Sequence, residues 1–160
     1  MKKLLLLVLA AVSNISFADG FDFAAYQPSS LVEITKKWNV TTQGYEPGFS
    51  VKQPEKIAVS AIAVSDPFKC NTQPLAWIFN SLRMPQVLQQ APINYCIKLK
   101  ATEGAPEFYA YIQDVLVAGY ASEVKPGSSV NLFGGFIAFA VSKNPATNFP
   151  LLVVNEFQAP

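Results

Sequence analysis

Residues 93–141 read as a run of β-strands, because apolar and polar positions alternate with a period of two, the mark of a half-buried strand. Ile93-Asn94-Tyr95-Cys96-Ile97-Lys98-Leu99-Lys100 is the first such run. Glu107-Phe108-Tyr109-Ala110-Tyr111-Ile112-Gln113 is the second, reached across a polar turn that includes Thr102, Glu103, Gly104 and Pro106. Ile97 and Leu99 are expected to face a core together with Phe108, Ala110 and Ile112. Cys96, Lys98 and Lys100 then lie on the opposite face, shared with Tyr109, Tyr111 and Gln113. Paired across the turn, the two strands present two lysines and two tyrosines on one surface.

The flanking pattern supplies further elements. Ile57 to Val64 is a small-residue apolar run, expected to be a strand buried on much of both faces and ended by Asp66-Pro67. Residues 130–139 form a strand interrupted by Gly134 and Gly135, a sign of a bulge or sharp bend. Residues 151–157 are the last strand. Gly44, Pro47, Gly48 and Pro54 mark 41–54 as a loop, and 114–123 fits either a continued strand or a short helix. Ser30 and Glu33 match a capping box ahead of a helix over 31–38, on which Leu31, Ile34 and Trp38 share a face. A second helix follows Cys70, with Thr72 as its cap, Pro74 in its first turn, and a stripe of Leu75, Ile78, Phe79 and Leu82. Trp77, Phe79 and Met84 are expected to be core.

The N-terminus carries the three parts of a secretory signal peptide: basic Lys2-Lys3, an apolar run over 4–12, and Ser16-Phe17-Ala18 as cleavage site. Cleavage after Ala18 leaves 142 of the 160 residues, a length for one domain. The expected organisation is a signal peptide over 1–18, an N-terminal arm with a short helix over 19–54, and a β-domain over 55–160 with a helical insertion at 72–91. The leader looks bacterial and Sec-type, which places the mature chain in the periplasm or outside the cell. No later apolar run is long enough to span a bilayer, so no stable membrane insertion is expected.

Processing shifts the formal charge from +1 to −1 by removing Lys2 and Lys3. A near-neutral domain lacks the field of a general nucleic-acid binder, so nucleic acid is not the expected partner. The even cysteine count in an exported chain favours a Cys70–Cys96 disulfide. Such a bridge closes a loop of about 25 residues, for roughly 3–4 kcal/mol in the chain-entropy model. The chain has no histidine, which removes Ser-His-Asp and Cys-His catalysis and the commonest zinc-ligand sets. Arg83 is its single arginine, too few for a guanidinium phosphate clamp. Glu103, Glu107 and Asp114 are the nearest thing to a carboxylate group, but the first two flank a turn and are expected to be solvated. No catalytic residue, cofactor or metal site is expected.

The string Val124-Lys125-Pro126-Gly127-Ser128-Ser129-Val130-Asn131-Leu132-Phe133-Gly134-Gly135 resembles the turn and glycine-bent fourth strand of many OB-folds. The element order over about 55–157 resembles that fold too. The resemblance implies a mainly β chain with short helices, built on a five-stranded OB-like Greek-key barrel. The competing architecture is an α+β antiparallel sheet covered by the 75–82 helix. The OB resemblance also implies ligand binding across strands two and three, here Lys98, Lys100, Tyr109, Tyr111 and Gln113. The expected function is therefore that of an exported, non-catalytic module docking a protein or glycan through an aromatic and basic strand face. The alternative is a structural or assembly component of the bacterial envelope or secretion apparatus, in contact through its aromatic arm.

Overall fold

In the computed structural model, which describes residues 20–102 and 107–159, the fold is mainly β with short helices. The leader and the turn at 103–106, with Glu103, lie outside the described residues. Among the described residues seven strands form one mixed sheet: β1 (Gln27–Pro28), β2 (Gly48–Ala63), β3 (Phe68–Lys69), β4 (Tyr95–Ala101), β5 (Glu107–Ile112), β6 (Ser129–Val141) and β7 (Phe149–Gln158). Their order is β1-β2-β6-β7-β5-β4-β3, and β2 also pairs with β4. That extra ladder, Ala61 opposite Ala101 through Ala63 opposite Leu99, closes β2, β6, β7, β5 and β4 into a circuit. The five strands expected from the sequence are thus joined by two more, the two-residue strands β1 and β3. Within the circuit only β5 and β7 run parallel, with Tyr111 opposite Val153 and Ile112 opposite Val154.

Among the described residues four helices accompany the sheet: α1 (Leu31–Thr41), α2 (Gln73–Ser81), α3 (Gln86–Gln90) and α4 (Val117–Glu123). The Ser30 hydroxyl accepts the Glu33 amide at 3.3 Å, so α1 starts at its capping signal. It runs three residues past the expected end, to Thr41. At α2 the expected cap is displaced by one residue. Thr72 makes no capping bond, and Asn71 Oδ1 accepts the Gln73 amide at 3.0 Å instead. Residues 114–123 resolve as a 3₁₀ turn leading into α4.

β2 begins at Gly48, inside the stretch expected to be loop. Pro54 is accommodated because it falls in the register shift between Val51 and Glu55, where a missing N–H breaks no ladder. Further along β2 only one face is fully buried. Ile57, Val59, Ala61 and Ala63 point inward, whereas on the other face Ala58 and Ile62 are half-buried and Ser60 is exposed, so the expected burial on much of both faces holds only in part.

Two cores result. Inside the circuit pack Ile57, Val59, Ile97, Leu99, Phe108, Ile112, Leu132, Phe136, Leu152 and Val154, joined by Leu31 from α1 and Tyr120 from α4. Outside it, Leu75, Ile78 and Phe79 of α2 lie on Cys96, Tyr111, Ile137, Ala138, Leu151 and Val153. Strands β6 and β7 read as apolar on both faces because both faces are covered. The 3.6-residue period that turns Leu75, Ile78 and Phe79 inward turns Trp77 out. It is 54% exposed and not part of the core, contrary to expectation.

Candidate docking face on strands four and five

Register places the expected face correctly in part. Lys98 is opposite Tyr109 and Lys100 opposite Glu107, so the two lysines and one tyrosine share the outer side of β4 and β5. Tyr109 is 46% exposed, with its ring edge-on to Phe68 at 6.0 Å between centroids. Lys98 is ion-paired with Glu107. That hydrogen-bonded carboxylate holds its ammonium above the ordinary lysine range. Lys100 is exposed on the same edge.

Tyr111 does not belong to the exposed set. It is 6% exposed, because the helical insertion packs over this part of the sheet. Its hydroxyl donates to the Asn71 carbonyl at 3.1 Å, and burial pushes its phenol above the ordinary range. Cys96, expected beside the lysines, is likewise covered. It is bonded to Cys70, with the two Cα atoms 5.7 Å apart. Gln113 lies past the end of β5, half-buried, where its Nε2 donates to Asn155 Oδ1 at 2.9 Å. Asn155 in turn donates to the Tyr26 hydroxyl, so Gln113 serves the arm and not the lysine face. Among the carboxylates, Glu107 is held by Lys98, and Asp114 accepts both the amide and the side-chain nitrogen of Asn94. They form no acid–base pair with each other.

What the register leaves open is an apolar cleft of about 240 Å³ beside Tyr109. Its walls are Phe49 of β2, Phe68 of β3, Tyr109 of β5, and Phe149 and Leu151 of β7, and the disulfide, Asn71 and Tyr111 complete the lining. The contributions of Phe49, Phe68 and Phe149 were not foreseen, since each comes from a different strand and no local spacing connects them. β5 pairs with β7 only at Tyr111 and Ile112, so the two strands are unpaired toward Tyr109 and Phe149.

Two buried tyrosines predict opposite responses to the same change. Tyr111→Phe removes a made hydrogen bond and leaves the Asn71 carbonyl short of a partner, for an expected loss of about 0.5–1.5 kcal/mol. Tyr120 is fully buried, edge-on to Phe157, and its hydroxyl has no partner among the described residues. Tyr120→Phe is therefore expected to leave stability unchanged or raise it. Burial, with a smaller contribution from the charge of Asp66, pushes the Tyr120 phenol up to about 12. The unfolded tyrosine ionises near pH ~10. The folded state thus holds the proton longer, and stability, complete below that pH, falls as pH rises toward 12. Melting curves across that range should show the fall, and Tyr120→Phe should make it shallower.

No family model matches the chain, and no curated protein matches it. Among solved structures, it is similar to the crystal structure of the small single-stranded DNA-binding protein from Streptomyces coelicolor. That similarity has a TM-score of 0.39 at 9% identity and covers 68% of this chain and 96% of the other.

Proposed function

We propose that this chain is an exported bacterial, non-catalytic binding module with an OB-type barrel, which docks a protein partner at the Tyr109 cleft. The observation that carries this reading is the cleft itself: an apolar hollow walled by aromatic rings, the half-exposed Tyr109 among them, on the outer face of β4 and β5 that also carries Lys98 and Lys100. Aromatic side chains with limited rotamer freedom make good anchors, and charges on the rim steer association. The strand circuit supports the OB reading, because its order, its single parallel β5–β7 pairing and the helix between β5 and β6 match that Greek-key barrel. The disulfide supports export.

A protein suits the cleft better than the other ligand classes. The walls are mostly rings and aliphatic groups, with Asn71 the one amide side chain among them, where a glycan needs several hydrogen-bonding groups. Of the two lysines, Lys98 is already partnered by Glu107, which leaves little positive charge to track a nucleic-acid backbone. The alternative, an envelope assembly component working through its aromatic arm, is less well supported. Phe21, Phe23 and Tyr26 fold back onto Phe133, with ring centroids 6.2, 4.8 and 5.9 Å from it.

The test is a titration with the protein captured by immobilised wild-type chain from the envelope of the producing cell. Tyr109→Ala is expected to weaken binding by roughly 1–3 kcal/mol without changing the melting temperature. Lys98→Ala/Lys100→Ala should chiefly slow association and reduce its salt dependence. Wild-type affinity in both variants would place the interface elsewhere.

A further inference from the structure

We propose a second, separate site that binds a neutral saccharide, in the cleft between the end of α1 and the β6–β7 connection. This cleft has a volume of about 550 Å³, within the range of small-molecule sites, and shares no lining residue with the Tyr109 cleft.

Its two walls are tied to each other by side-chain hydrogen bonds. Asn148, only 3% exposed, accepts the Ser142 amide at 2.7 Å and donates to Asn39 Oδ1 of α1 at 2.8 Å, a residue 109 positions away. Asn39 then donates to the Pro145 carbonyl at 3.4 Å. On the other wall, Gly44 takes a φ of +82°, and the Tyr45 amide closes a turn onto the Thr42 carbonyl at 3.0 Å. Two connections from opposite parts of the chain are thereby held at a set spacing, as a preformed site requires.

The groups lining the hollow have the chemistry of sugar recognition. Tyr45 is 56% exposed and offers an aromatic surface to the apolar C–H face of a pyranose. The Gln43 amide, the Glu46 carboxylate and the Lys143 ammonium also line the cleft, and none has a side-chain hydrogen bond or ion pair among the described residues. An amide and a carboxylate suit adjacent hydroxyls, since each pairs with two groups at once. One carboxylate and one ammonium cancel, which favours a neutral sugar over a uronate or a sugar phosphate.

Chitotriose and maltotriose are the neutral probes, and galacturonate and glucose phosphate the charged ones, titrated into isotopically labelled whole mature chain and followed by amide NMR shifts. At least one neutral probe is expected to bind with millimolar or tighter affinity and to shift residues 42–46 and 142–148. Tyr45→Ala should weaken it about tenfold. Tyr45→Phe should retain most of the affinity, Gln43→Ala should lower it, and Tyr109→Ala should leave it unchanged. Absence of binding by both neutral probes overturns the proposal, as do tighter binding of a charged probe and shifts confined to other residues. Loss of binding in Tyr109→Ala overturns the separateness of the site, whereas a protein partner lost there with saccharide binding intact leaves both proposals standing.

Discussion

Cys70→Ser or Cys96→Ser is expected to destabilise the chain by about 2–5 kcal/mol, the usual cost of losing a native bridge from a small domain. The cysteines stand 26 positions apart, and the closed loop contains all of α2 and α3. Cys96 is fixed in β4, whereas Cys70 follows the two-residue strand β3, a weak anchor by itself. Without the bridge, the insertion is held mainly by Leu75, Ile78 and Phe79 against the outer face of the sheet. The loss should therefore be uneven: amide exchange should quicken first in α2, while Ile97 and Leu99 inside the circuit stay protected. Tyr111 would be exposed by the same opening, and the lining of the Tyr109 cleft would change with it. Denaturant unfolding of each variant beside the oxidised parent gives the energy, and hydrogen exchange gives its location. A loss below about 1 kcal/mol would mean that the bridge records compartment more than stability.

The second large effect is expected at Gly134, where Gly134→Ala should cost about 3 kcal/mol. A methyl group built there would lie 2.5 Å from the Val153 carbonyl oxygen and 3.2 Å from its carbon. Both are backbone atoms in β7, so no side chain can swing away. The strands must part at the register shift between Phe133 and Gly134, next to the parallel pairing of Val153 with Tyr111. Gly135→Ala is the matched control. Its nearest contact would be Ile137 Cγ2 at 3.7 Å, an ordinary packing distance, and the expected change is under about 0.5 kcal/mol. Equal unfolding midpoints for the two variants would contradict the role given to the bulge.

The bridge and the glycine bulge behind these two effects were legible in the sequence, the first from an even cysteine count with an expected leader, the second from glycines breaking a strand pattern. Strand alternation also set the inward positions of Ile97, Leu99, Phe108, Ala110 and Ile112 correctly, because one buried face is a local property of the chain. Tyr111 was misplaced because alternation says which side of a sheet a residue occupies, not whether another element covers that side. Here α2 covers it. Trp77 erred in the opposite sense, since size suggested burial while the helical stripe already pointed it away. Gly48 and Pro54 hid the first part of β2, as breakers do when a bulge accommodates them. The aromatic cleft was beyond local reading, being assembled from β2, β3, β5 and β7.

The measurement that reaches the functional claim most directly places a photo-crosslinking amino acid at position 109 and, in a second chain, at position 115. Val115 is the control, a 64% exposed side chain that does not line the cleft. Irradiation in the producing cell is expected to join a protein partner to the chain carrying the probe at 109 and to leave the chain carrying it at 115 unjoined. An adduct from 115 with none from 109 would contradict docking at the Tyr109 cleft.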